Sequence, residues 1–179
     1  MKDLKGKKVA LLVDNGFEEV ELKEPYEALK EAGAIPHIVS PQKEKVRSWD
    51  FTDWGPDYKV DVELSKADAA SYHALVLPGG QINPDSLRGN EEALAFIDHF
   101  IQEEKLIAAI CHAAWTLIEL DFVKGKEMTT FKTIKKDAVN AGAKWVDKAV
   151  VIDGNLISSR SPDDLDAFNK AIVEALANA

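Results

Sequence analysis

Three short apolar runs constrain this chain most. Lys8–Val13, Ala74–Leu77 and Leu106–Ile110 break off abruptly into Asp14-Asn15-Gly16, Pro78-Gly79-Gly80 and Cys111-His112. Runs of four to six residues are too short for buried helices. Their near-continuous apolar character suits strands covered on both faces, as in a parallel sheet flanked by helices.

The segments between them support that reading. From Glu18 to Ala32, Val20, Tyr26, Leu29 and Ala32 recur at helical spacing, and Gly33 stands where a C-cap belongs. Pro25 inside this stretch predicts a kink or a short first turn. Ile35–Val39 reads as the next strand, so strand, helix and strand form a βαβ unit. Ser65–Ala70 reads as a short helix and Glu91–Glu104 as an amphipathic one carrying Leu94, Ile97, Phe100 and Ile101. Trp115–Leu120, Asp137–Ala141 and Asp163–Ala177 read as further helices, the last opened by a Ser161 cap and Pro162. Met128–Phe131, Ala149–Ile152 and Leu156–Ser158 read as short strands. The expected fold is a doubly wound α/β sandwich with a mostly parallel sheet, one domain over residues 1–179. Residues 46–62 depart from the rhythm. Trp49, Phe51, Trp54 and Tyr58 lie among charges there, which predicts a hairpin or irregular excursion over a site or a subunit contact.

Composition narrows the function. The net charge of −9 repels a phosphate backbone, so no nucleic-acid partner is expected. The charged segment Met1–Lys8 has no apolar run after it that suits a signal peptide, and no stretch nears the ~18 apolar residues of a membrane span. A single cysteine excludes an internal disulfide framework. The expectation is a cytoplasmic protein.

In doubly wound sheets, chemistry gathers beyond the C-terminal ends of the strands. Ala109-Ile110-Cys111-His112-Ala113 puts a nucleophile-type residue at the turn from strand to helix, with small residues two positions to either side. A helix beginning there would point N–H groups at the sulfur and lower its pKa. A small buried core cysteine fits the same pattern equally well. His112 is a base or orienting group for Cys111 if the backbone bends, and otherwise an ordinary surface histidine. Gly79 and Gly80 offer N–H groups for an oxyanion hole, or simply a tight turn. Glu18, Glu19 and Glu21 complement a helix dipole, or one of them reaches Cys111 as a proton carrier. Asp85 reads as a loop residue after Pro84. Asp14, His37, His73 and His99 lack metal-ligand spacing, so no metal is predicted.

In order and spacing, Phe17-Glu18-Glu19-Val20-Glu21 with Pro25, Ala74–Gly80, Ala109–His112, Asn140–Ala143 with Trp145-Val146-Asp147, and Asp153-Gly154-Asn155 with Ser158–Pro162 resemble the ThiJ/PfpI family over nearly the whole chain. The resemblance implies a flavodoxin-like three-layer sandwich of the class I glutamine amidotransferase-like superfamily. It implies that Cys111 is the reactive cysteine, Glu21 the glutamate contacting its sulfur with Glu18 beside it, His112 the family's following histidine, and Gly79 and Gly80 the oxyanion-hole pair. Asp85 falls where PfpI-type members place an acid that reaches the histidine of a neighbouring subunit, which implies a homo-oligomer, dimer or larger. The chain departs from the family at Ala113-Ala114, where Gly-Pro is usual, and at Phe131-Lys132, where Tyr or Trp followed by Pro is usual. The resemblance is compatible with three functions. The first is a cofactor-free enzyme for reactive aldehydes, of glyoxalase or protein-deglycase type in the stress response. The second is an intracellular cysteine peptidase with a triad completed across subunits. The third is a redox sensor or chaperone without turnover.

Overall fold

The computed structural model describes residues 3–179; Met1 and Lys2, the start of the charged N-terminal segment, lie outside the described residues. The chain runs β1 (Lys8–Leu12), β2 (Phe17–Glu18), α1 (Glu19–Glu31), β3 (Ile35–Ser40), β4 (Lys45–Asp50), β5 (Asp53–Lys59) and β6 (Val62–Glu63). It continues through β7 (Ala74–Leu77), α2 (Ile82–Arg88), α3 (Glu91–Gln102), β8 (Leu106–Ile110) and α4 (Ala114–Glu119). The last elements are β9 (Glu127–Met128), α5 (Lys135–Asn140), β10 (Lys144–Trp145), β11 (Val150–Asp153), β12 (Leu156–Ser159) and α6 (Leu165–Asn178).

Seven strands form the central sheet in the order β11-β12-β8-β7-β1-β3-β6. All neighbours in it are parallel except the edge pair β11 and β12. The predicted mostly parallel α/β sandwich is therefore the observed architecture. Alternation along β1 shows how the layers are built. Val9, Leu11 and Val13 face one side, against Leu22 and Leu29 of α1 and Phe168 and Ile172 of α6. Ala10 and Leu12 face the other, against Phe96, Ile97 and Phe100 of α3 and Leu117 of α4. From Val9 on, β1 is apolar at every position, as are β7 and β8, because each face of these strands meets a helix layer.

Several local expectations change. Asp85 lies on α2, not in a loop. Pro84 is the third residue of that helix, where its missing N–H has no helical partner to lose. Pro25 sits inside one continuous helix, α1. The stretch read as a helix at Ser65–Ala70 is two 3-10 turns, Leu64–Lys66 and Ala69–Ser71. Of the strand read at Met128–Phe131, only Met128 pairs, together with the preceding Glu127, against β10; the Thr129 N–H turns to the Ser158 hydroxyl at 3.0 Å. Ser161 makes no side-chain cap, and Pro162 opens a 3-10 turn before α6.

The 46–62 excursion is a hairpin of β4 and β5, joined to β2 in a small sheet of its own. Trp49 meets Trp54 edge to face across it, with ring centroids 5.5 Å apart. The Tyr58 hydroxyl donates to Glu19 at 2.7 Å, which pins the hairpin to the start of α1. Phe51 at its turn has φ 51° and is 60% exposed.

Phe168 is the fully buried aromatic by which α6 grips the sheet. Phe168→Ala removes that contact and leaves a cavity. Urea denaturation is expected to show a loss of roughly 3–5 kcal/mol; a loss below about 1 kcal/mol, typical of a surface substitution, would mean that α6 does not carry that packing.

Candidate active site

The ends of β1, β7 and β8 lie side by side, and the segments beyond them line one cavity of about 970 Å³. Its lining includes Glu18, Glu21, Gly80, Cys111 and His112. The hairpin adds Trp49 and Phe51 to one wall, and Thr130, Phe131, Lys132 and Trp145 form another.

At the end of β8 the backbone turns sharply. Cys111 has φ 62°, the left-handed conformation that a side-chain-bearing residue adopts only under constraint. A 3-10 turn, Cys111–Ala113, leads directly into α4. The carbonyl of Cys111 accepts the N–H of Phe131 at 3.2 Å, which anchors the elbow from outside the sheet.

Glu21 arrives from the first turns of α1 and is fully buried. Its Oε2 accepts the N–H of Gly79 at 2.8 Å, and its Oε1 has no hydrogen-bond partner. The carboxyl faces the Cys111 sulfur. Burial pushes its pKa up to about 8, against the pull of the Gly79 N–H and with a further push from Glu18.

Cys111 behaves differently from expectation. The helix that begins beside it predicts a lowered pKa, but burial and the neighbouring Glu21 charge push the thiol up. The N–H groups of His112 and Gly80 point at the sulfur and pull the other way with less force. Cys111 and Glu21 are best treated as one titrating unit that gives up its first proton only near pH 8 and then shares the remaining one. When that proton sits on Glu21, the charge sits on sulfur among those N–H groups.

The two glycines divide their work. Gly79 gives its N–H to Glu21, so it is committed and not free for a substrate oxygen. A Cβ there would lie 2.6 Å from Glu21 Oε2 and 2.8 Å from Cys111 Cβ, so only glycine lets the three segments meet. Gly80, at φ 78°, is the one whose N–H faces the sulfur.

His112 Nδ1 lies 3.1 Å from Cys111 Sγ. Burial holds the imidazole below its usual range, against the pull of Asp137. Its Nε2 is 3.5 Å from the Thr133 hydroxyl, too far for a strong bond. Glu18 sits at the cavity rim, where Oε1 accepts the Phe51 N–H at 3.1 Å. Burial also raises its pKa. Asp85 lies outside the cavity lining of its own chain. It pairs with Arg88 at 2.6 Å, and that guanidinium stacks 4.7 Å over the Trp115 ring that meets His112.

Arg160 also lines the cavity, and sequence reasoning gave it no role. It is held by Asp147 at 2.8 Å and by both oxygens of Asp164 at 2.8 and 2.9 Å. Its position after a strand beside β8 was the available signal. Among the described residues, no group of three or more His, Cys, Asp or Glu is placed to hold a metal ion, and no helix is long and apolar enough to cross a membrane.

The DJ-1/PfpI family model matches residues 7–175. This chain belongs to that family. The Bacillus subtilis protein named "Putative cysteine protease YraA" is 38% identical over 95% of this chain and 98% of its own length. Among solved DJ-1/PfpI structures, Drosophila melanogaster DJ-1beta superposes with a TM-score of 0.88 at 29% identity, over 97% of this chain and 92% of that one. A two-domain protein of Anabaena variabilis, with DJ-1/ThiJ/PfpI-like and ferritin-like domains, superposes with a TM-score of 0.88 at 37% identity. That match covers 95% of this chain and 48% of the longer one.

The buried carboxyl of this DJ-1/PfpI site makes a signed prediction for stability. Between the ordinary carboxylate value of 4.5 and about 8, the native chain holds a proton on Glu21 that the unfolded chain has released. The contribution is therefore fully present below 4.5 and is lost as pH rises through 8. Glu21→Gln cannot titrate. Denaturant unfolding from pH 5 to 9 is expected to show the wild type losing several kcal/mol relative to Glu21→Gln. A parallel pair of curves would mean that Glu21 is ionised when folded.

Proposed function

We propose that this chain is a cofactor-free cysteine-dependent enzyme acting on reactive 2-oxoaldehydes or their adducts on amines. The observation that carries the reading is the buried Glu21 carboxyl facing the Cys111 sulfur. A carboxyl there takes the thiol proton during attack and returns it to a substrate atom.

The chemistry balances without a further reactant except water. Sγ bonds to the aldehyde carbon, and the thiol proton passes through Glu21 to the aldehyde oxygen, giving a hemithioacetal. The N–H groups of Gly80 and His112 hold the developing oxyanion. Glu21 then moves the proton of the first carbon to the second, and the hydroxyl proton of the hemithioacetal passes to the ketone oxygen. The first carbon is oxidised to a thioester and the neighbouring ketone is reduced to an alcohol. Water cleaves the thioester, releasing a 2-hydroxy acid and restoring the thiol. A cavity of about 970 Å³ walled by Trp49, Phe51, Phe131 and Trp145 has room for an adduct on an amino-acid side chain as well as for the free aldehyde.

A second reading, a cysteine peptidase, draws on the 3.1 Å contact of Cys111 with His112 and on the printed name of the Bacillus subtilis relative. Its triad would be completed across subunits by Asp85, which within its own chain pairs with Arg88 at 2.6 Å.

The test is hydroxy-acid formation from methylglyoxal alongside cleavage of fluorogenic peptides. Aldehyde turnover is expected to fall at least 100-fold in both Cys111→Ser and Glu21→Gln. In the wild type, kcat/KM is expected to rise with pH toward a plateau above about 8, as the pair gives up its first proton. Peptide cleavage that needs Cys111 and His112 and ignores Glu21→Gln would replace the aldehyde reading with the peptidase one.

A further inference from the structure

Asn83, the second residue of α2, is fully buried against the turn that ends β7, and sequence reasoning gave it no role. A buried carboxamide is costly unless its donors and its acceptor are engaged. Here all are. Asn83 Oδ1 accepts the Asp14 N–H at 2.7 Å, and Nδ2 donates to the carbonyls of Pro78 and Gly79, both at 3.0 Å. These partners fix the orientation of the group, because an N–H needs an acceptor and two carbonyls need a donor. One side chain thus joins the ends of β1 and β7.

The two carbonyls matter through the far side of their peptide planes. Among the described residues every peptide bond is trans, so each carbonyl points opposite the N–H of the next residue. The Pro78 carbonyl shares a plane with the Gly79 N–H, which donates to Glu21 at 2.8 Å. The Gly79 carbonyl shares a plane with the Gly80 N–H, which faces the Cys111 sulfur. The Gly79 carbonyl also accepts the Glu18 N–H from β2, at a longer 3.4 Å. Asn83 therefore grips, from behind, both planes that serve the cysteine and its carboxyl partner.

We propose that Asn83 is a positioning residue: its carboxamide fixes the Pro78–Gly79 and Gly79–Gly80 peptide planes so that their N–H groups point at Glu21 and at the Cys111 sulfur. Such a hold is needed because a peptide between two glycines turns easily, with no Cβ on either side to restrict it. The hold also has an electronic effect. A carbonyl that accepts a hydrogen bond polarises its own peptide, which makes the N–H across the plane a stronger donor. Both N–H groups stabilise the singly ionised pair, whether the charge sits on Glu21 or on sulfur.

The role of Asn83 rests on the site proposed for aldehydes but not on its substrate, so its test reads thiol chemistry and not turnover. The rate of iodoacetamide alkylation of Cys111 is measured against pH in wild type and Asn83→Leu. Leucine keeps the branched shape and has no hydrogen-bonding group. At pH 7 alkylation is expected to slow about tenfold, with its midpoint moved to higher pH, the scale of one weakened hydrogen bond to a charged group. An asparagine that served only the fold would lower the melting temperature when replaced and leave that midpoint in place. Circular dichroism melting verifies that the variant is folded. If it is not, NMR of the wild type carries the test. The two Asn83 side-chain amide protons are expected to give separate signals that exchange slowly with solvent, and the Gly80 amide signal is expected to move as Cys111 ionises. An unchanged midpoint in folded Asn83→Leu, rapid exchange of the Asn83 protons, or a Gly80 amide blind to the titration would overturn the proposal. A wild type that fails to turn over methylglyoxal, alongside a shifted midpoint in the variant, would remove the proposed reaction and leave the role of Asn83 standing.

Discussion

The hydrogen bond from the Gly79 N–H to the buried Glu21 carboxyl joins elements from three parts of the sequence. It ties the first turns of α1 to the end of β7, directly beneath the elbow at the end of β8. A carboxylate taken out of water is costly unless it is paired, so Glu21 holds a proton to unusually high pH. That retained proton makes the position useful, because the nearest reactive atom is the Cys111 sulfur. Gly79 permits the arrangement by having no Cβ; any side chain would fill the space that the carboxyl and the cysteine share.

The strain at Cys111 belongs to the same design. A left-handed cysteine costs on the order of 1–3 kcal/mol and persists only where its surroundings fix it. Here β8 is flanked by β7 and β12 on either side, and the Phe131 N–H holds the Cys111 carbonyl from above. The turn aims the sulfur at N–H groups of Gly80 and His112 while burying it almost completely. These two features oppose one another, and burial dominates. Burial outweighs the pull of those N–H groups and holds the thiol pKa up.

Legibility of the sequence tracked the range of the interactions. The core strands were readable because each is apolar on both faces, and helices such as α3 because one stripe repeats at helical spacing. Short elements were not. Asp85 looked like a loop residue because Pro84 masks a helix whose first turn tolerates proline, and the Thr129–Phe131 segment has strand composition but finds side-chain partners instead of a ladder. The hairpin is foreshadowed by its aromatic residues, yet its attachment to α1 through Tyr58 and Glu19 joins residues far apart in the chain.

The sequence by itself determined a parallel α/β sandwich, the strand ends at which chemistry would gather, and Cys111, His112 and Glu21 as candidates, because hydrophobic period and residue type are local properties. Only the tertiary structure decided which glutamate lies against the sulfur, that Gly79 serves Glu21 while Gly80 faces the cysteine, that Arg160 and Phe131 line the same cavity, and that the thiol is pushed up in pKa. Those outcomes depend on burial and on distances of a few ångströms between segments remote in the chain, and no local pattern of residues specifies either.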